Sequence, residues 1–310
     1  MFDNVLYIIG NGFDLHHGVM SGYGAFAVWL KGHNRNLYRK LLAVCDTGAL
    51  WRDFETALAY VDRDYFLSWG DVWLPRNWTE DDSCAELFFA EDMVRNEADA
   101  LWSEIVKWFR KWVCTIRWRP ECDRRRVRID TEARFITFNY TPFLETQYGI
   151  PRENILYIHG KSSDVKHPPV IGHDGRDTFS RWYRRGNPRL KKYYRGSRSF
   201  LPEVEMMRSS VEEYFSLSKK PVGEILEQHR TFIGDLYDVE YIYVLGHSLG
   251  SVDLPYFRTI GAVNAAPERL RWNVSYYSDK ERAAMEEIMR TRVMHEDAAL
   301  QMFRLDEIRC

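Results

Sequence analysis

The stretch that most constrains this chain is Val5 to Gly12, VLYIIGNG. Five apolar residues stop abruptly at Gly10-Asn11-Gly12, and Phe13, Asp14 and Leu15 continue in a form that can open a helix. A run this short, closed by glycines, predicts a buried parallel strand rather than a membrane span. Strand, glycine turn and helix N-terminus together make an anion cradle, because amide N–H groups and the helix dipole point at the turn. This is the phosphate-binding arrangement of dinucleotide folds, although Leu15 stands where G-x-G-x-x-G has its third glycine. The turn serves either a nucleotide or only the chain reversal.

The next hundred residues or so are different in kind. From about Ser21 to Arg119 apolar residues recur at helical spacing, as in Leu37, Leu41 and Val44, then Trp51, Phe54 and Leu58, then Leu101, Ile105, Trp108, Phe109 and Trp112. Nine of the eleven tryptophans lie in this segment. They point to a helical insertion with its own core, with an aromatic binding surface as the alternative. Arg124, Arg125, Arg126 and Arg128 read as a solvated edge before the next strand.

Strand signals then return at Arg134–Phe138, Asn154–Ile158 and Pro169–Ile171, and later at Tyr241–Leu245, Arg271–Tyr277 and Met302–Ile308. Helical stretches are expected at Val222–Leu236 and Ala283–Met294. Several strands end on polar or glycine residues: Asn139-Tyr140-Thr141, His159-Gly160, Gly172-His173 and Gly246-His247-Ser248. Sites of open α/β sheets lie at the carboxyl ends of strands. Between them, residues 176–200 interleave arginine and lysine with Trp182, Tyr183, Tyr193 and Tyr194. That pattern suits a surface loop, a lid over an anion, or a single-strand nucleic-acid contact.

Composition narrows the class. A chain of 310 residues with 45% apolar and 15% aromatic content can bury a large core, as one domain with an insertion or as two. The net charge of -2 argues against a general nucleic-acid binder. Five cysteines without a C-x-x-C pair suggest neither a disulfide framework nor a zinc site. With no basic, apolar leader and no run of membrane-spanning length, the expected location is the cytoplasm.

Taken in order, GNGFDL (Gly10 to Leu15), TFNYT (Thr137 to Thr141), IHG (Ile158 to Gly160) and GHSLGSVD (Gly246 to Asp253) resemble the AbiH family. These are bacterial proteins associated with abortive infection of phage-infected cells. The resemblance also takes in Trp51 to Glu55 and Tyr256-Phe257. AbiH proteins in turn look like remote members of the sirtuin-like superfamily, which binds NAD.

The fold so implied is α/β: a Rossmann-like parallel sheet of sirtuin-like type, built from 1–20 and 130–310, with a helical, Trp-rich insertion at 21–129. The implied activity is NAD+ glycohydrolysis in anti-phage defence. His159 would be the base, and Asn139 would sit at the ribose beside it. Gly10, Asn11, Gly12, Asp14, Thr141, Gly246, Ser248 and Asp253 would line the NAD+ site. Asp14 would repel phosphate, so an N-cap or ribose contact suits it better. Two departures count against protein deacylation: Thr141 replaces the sirtuin aspartate, and the four zinc-binding cysteines are absent.

NAD+ is expected as substrate, with no metal. A phage-derived activator is the expected macromolecular partner. A homo-oligomer is compatible with the sequence, while nucleic acid and membrane are not expected partners. Two alternatives belong to other classes. One is a nucleotide-binding sensor without turnover, or a nucleic-acid-directed toxin using 176–200. The other is a serine esterase, since Gly246 to Gly250 satisfies G-x-S-x-G, with Asp279 and His295 downstream.

Overall fold

The computed structural model describes residues 4–45, 50–71, 84–118, 125–175 and 202–308. The chain divides into two compact units, one of Met1–Phe26, Arg110–Val170 and Pro221–Cys310, the other of Ala27–Phe109 and Ile171–Lys220.

The first unit is organised on a six-stranded sheet: β1 (Val5–Ile9), β2 (Arg134–Thr137), β3 (Ile155–Tyr157), β4 (Tyr241–Leu245), β5 (Arg271–Tyr276) and β6 (Ala299–Arg304). The strand order is β3-β2-β1-β4-β5-β6 and every pairing is parallel. This is the Rossmann-like order, with its reversal of direction between β1 and β4. All five residues of β1 are buried, as expected of a central strand covered on both faces. On one face Tyr7 stacks between its register partners Phe135 (5.0 Å) and Tyr243 (5.2 Å). On the other, Leu6, Ile8, Ile136, Ile242 and Val244 join Tyr256, Phe257 and Ile260 of the helix Leu254–Val263 in one apolar core.

Three expectations are corrected by the fold. Pro169–Ile171 is not a strand: proline cannot donate to a ladder, and the Val170 N–H bonds the His159 carbonyl instead. The last strand falls at Ala299–Arg304, and Leu305–Ile308 forms a 3₁₀ turn. The arginine run is not simply solvated. Arg125 donates to the His16 carbonyl (3.1 Å) at the end of the helix Asn11–His16, where a cation meets the negative end of the dipole, and Arg126 lies over the Tyr148 ring.

The second unit is helical. The helix Cys84–Val113 buries Ala90, Val94, Ala98, Leu101, Ile105 and Phe109, a single stripe at three- and four-residue spacing. Tyr214 of the helix Pro202–Leu217 is buried against Phe66 and Trp102. Asn34 and Asp53 cap the helices Arg35–Val44 and Phe54–Leu58 by accepting the Leu37 and Thr56 N–H groups. The described tryptophans of this unit are largely interior: Trp29, Trp51, Trp102 and Trp108 are half-buried, and Trp69 is exposed. Segment 171–220, which the sequence did not set apart, belongs to this unit.

Glu55 does not face solvent. Its carboxylate accepts the Gly172 N–H (3.2 Å) and pairs at 2.7 Å with the fully buried Lys220. Residues 176–200, the basic and aromatic stretch, lie outside the described residues. Among the described residues no helix is long and apolar enough to cross a membrane.

Candidate functional site

Because the strands are parallel, the segments after β1, β2, β3 and β4 emerge on the same edge of the sheet. Gly10 follows β1, Asn139 and Thr141 follow β2, His159 follows β3 and Gly246 follows β4. The candidate residues thus gather at the switch point of the strand order, where open α/β sheets place their ligands.

The turns after β1 and β4 are in intimate contact. Gly246 adopts φ +65, and a Cβ there would lie 2.1 Å from the Phe13 nitrogen. A Cβ on Gly10 or Gly12 would come within 2.5 to 2.7 Å of the Gly246-His247 backbone. Only glycine fits such an approach. The amides agree: Gly10 N–H donates to Leu245 O (2.9 Å), Gly12 N–H to Gly246 O (2.7 Å) and Phe13 N–H to Gly10 O (3.0 Å). The expected cradle of unpaired N–H groups is therefore corrected, since these three amides bond within the protein. Asn11 is exposed and its side chain is tied to Ser21.

Asp14, which sequence placed at an N-cap or a ribose, is buried, and the N-cap position is Gly10. One carboxylate oxygen accepts from Asn139 Nδ2 at 2.7 Å and the other from the Thr141 hydroxyl at 2.6 Å. Burial pushes the Asp14 carboxyl up to about 6, against the opposing pull of the Thr141 and Asn139 hydrogen bonds. Asn139 Nδ2 also reaches the Gly10 carbonyl (3.2 Å). Its amide is thereby fixed in orientation, and Oδ1 is buried with no hydrogen-bond partner among the described residues. An orphaned buried acceptor calls for an explanation.

Beside it stands a second cluster. Asp253 lies between two buried histidines, with Oδ1 3.7 Å from His159 Nε2 and Oδ2 3.5 Å from His247 Nε2. Phe138 supports both rings edge-on, His159 at 5.1 Å and His247 at 4.5 Å, and Tyr256 packs on His159 at 5.4 Å. His247 Nδ1 accepts the Leu249 N–H at 2.9 Å, which puts the ring proton on Nε2, facing the carboxylate. Leu249 itself is buried at φ +53, a left-handed conformation uncommon for leucine.

His247 and Phe138 carry no signal in the sequence that marks them as part of a site. In GHSLG attention falls on Ser248, and no spacing rule links a histidine to an aspartate six residues on through a turn. Ser248 is exposed. The proposed esterase partners are engaged elsewhere: Asp279 pairs with Arg304 at 3.4 Å and His295 with Asp297 at 3.7 Å. Among the described residues no group of three or more His, Cys, Asp or Glu is set to hold a metal ion.

Sheet order defines a Rossmann-like α/β protein, and its candidate residues lie at the switch point. The family model described as "Bacteriophage abortive infection AbiH" matches residues 6–276. The chain belongs to the AbiH family, and that membership links it to abortive infection. No curated protein and no solved structure matches it.

Proposed function

We propose that this AbiH protein hydrolyses NAD+ to nicotinamide and ADP-ribose. Water adds to C1′ of the nicotinamide ribose, the N-glycosidic electrons leave with nicotinamide, and the proton lost by water goes to His159. The leaving group departs neutral, so the chemistry needs a base and ribose-binding groups but no general acid.

The observation that carries this reading is Asn139. Its amide is locked by Asp14 and Gly10 while Oδ1 keeps an unused acceptor, next along the sheet edge from His159. A ribose hydroxyl or the attacking water supplies the missing donor. Asp14 and Thr141 then serve the site by holding Asn139. Gly10, Gly12 and Gly246 serve it by bringing two turns together, and Asn11 and Ser248 remain exposed to a dinucleotide.

The test is nicotinamide release followed by NMR with purified protein and phage components. Wild type is expected to consume NAD+, with His159→Ala and Asn139→Ala slowed by about 10²–10⁴. Intact NAD+, together with full phage protection by His159→Ala, would sink the proposal. A second reading, a sensor that binds without turnover, draws on the burial of Asn139 and His159. Calorimetric NAD+ binding without product would favour it.

A further inference from the structure

We propose that His247 is a positioning residue, which fixes the Asp253 carboxylate against His159 so that it supports the positive charge His159 acquires during turnover. The proposal deepens NAD+ hydrolysis and rests on it for its catalytic consequence.

The geometry runs in one direction. Leu249 is held at φ +53, and its N–H occupies His247 Nδ1. Strained backbone persists where the surroundings over-determine it, and such places cluster at functional sites. The His247 ring packs edge-on against both members of the stacked pair Phe138 (4.5 Å) and Phe257 (4.9 Å). The ring can therefore neither turn nor exchange tautomers without leaving the Leu249 N–H unsatisfied. With Nδ1 taken up as an acceptor, the neutral ring presents Nε2–H to the carboxylate.

It faces Asp253 Oδ2 at 3.5 Å, while Oδ1 is turned to His159 Nε2 at 3.7 Å. Both separations are at or beyond the limit of a hydrogen bond, and catalytic contacts of unliganded sites commonly tighten in the substrate complex. Asp253 is the acidic group of this cluster that faces His159, while Phe138 and Tyr256 supply rings. In the step itself His159 takes the proton of the attacking water and becomes an imidazolium. Asp253 remains a carboxylate and His247 keeps its proton, so nothing passes along the chain of three. Asp253, expected from the sequence to contact NAD+, acts in this scheme through His159.

Three variants separate this from a packing role. His247→Phe keeps a ring against the Phe138–Phe257 pair and loses both nitrogens. His247→Gln keeps an N–H that reaches Asp253. Asp253→Asn removes the charge. NAD+ turnover is expected to fall by about 10²-fold in Asp253→Asn, with the acid limb of the pH–rate profile moving to lower pH by on the order of one unit. His247→Phe should share that displacement, and His247→Gln should restore the wild-type profile.

Imidazole ¹⁵N spectra give an arm independent of activity. The His247 Nδ1 signal should show the Leu249 hydrogen bond, and the His159 nitrogens should move in both Asp253→Asn and His247→Phe. If His247→Phe leaves profile and His159 signals as in wild type, or if His247→Gln is no better than His247→Phe in a folded protein, the positioning role is overturned. If NAD+ is never consumed yet the spectra behave as described, the hydrolase reading fails and the His247–Asp253–His159 coupling stands.

Discussion

Asn139 Nδ2 donates to Asp14 Oδ1 at 2.7 Å, so the residue after β2 takes its orientation from the helix after β1. The other oxygen of Asp14 holds Thr141. Thr141 therefore stands directly against a buried carboxylate. The buried carboxylate of the pair is already supplied from position 14, and a second one would face it within hydrogen-bond distance.

Thr141→Asp is therefore expected to destabilise the protein at pH 7 by several kcal/mol, since two such carboxylates cannot both ionise. Adding Asp14→Asn should recover most of the loss. Urea unfolding of the two single variants and the double variant checks this, and additive losses would contradict the pairing.

Asp14 also sets a pH dependence, opposed by a neighbour. Its folded carboxyl titrates at about 6 against an ordinary 3.8, so the folded state holds the extra proton between those values and stability falls as pH rises through them. His17 has the reverse sign. Burial lowers it from 6.5 to about 4, and stability is lost as pH falls through that window. Its ring is committed as neutral, with Nδ1–H on the Phe13 carbonyl and Nε2 accepting from Tyr148. Each contribution is on the order of 3 kcal/mol and they largely cancel between pH 4 and 6. Relative to wild type, Asp14→Asn should therefore gain stability as pH rises from 4 to 6. His17→Gln should lose it over the same range. Unfolding free energies at pH 4, 5, 6 and 7 would show whether the two differences have opposite slopes.

Gly246 and Gly149 offer a matched pair, at φ +65 and +67. Around Gly149 a Cβ meets nothing within 4 Å, whereas at Gly246 it strikes the backbone of Phe13. Gly149→Ala should cost about 1 kcal/mol for the left-handed conformation alone. Gly246→Ala should cost at least about 2 kcal/mol more and abolish NAD+ turnover. Equal denaturation midpoints for the two variants would mean that the turns after β1 and β4 can separate freely.

The Glu55–Lys220 pair makes a prediction for the second unit. Lys220→Met or Glu55→Gln alone removes one charge of a close, largely interior pair and should cost about 3–5 kcal/mol. The double variant should be more stable than either, because both charges are gone and glutamine still accepts the Gly172 N–H. Two equal, additive losses in the cycle would show that the two side chains do not interact.

The strands legible in the sequence are those whose burial is written locally. Val5–Ile9 and Tyr241–Leu245 are short apolar runs cut off by glycine, and parallel pairing buries all of the first and Ile242, Val244 and Leu245 of the second. Pro169–Ile171 looks similar but begins with a residue that cannot join a ladder. The strand-end positions of Asn139 and His159 come from the same local pattern. The environments of Asp14, Glu55 and Asp253 do not. An isolated acidic residue is expected at the surface, and the partners that keep these three inside are Thr141, Lys220 and His247, brought near only by tertiary folding or by a turn no spacing rule describes. Likewise the glycines of GNG read as room for a phosphate, while in the folded chain they make room for Gly246.

That last contact has a bearing on timing. Gly10 and Gly12 are made well before Gly246, whose turn completes their hydrogen bonds. Contacts so far apart in sequence form late, and β1 lacks one of its two neighbours until β4 is available. A nascent or truncated chain that stops short of residue 246 lacks half of the switch point. Formation of the switch point is thus tied by topology to synthesis through β4.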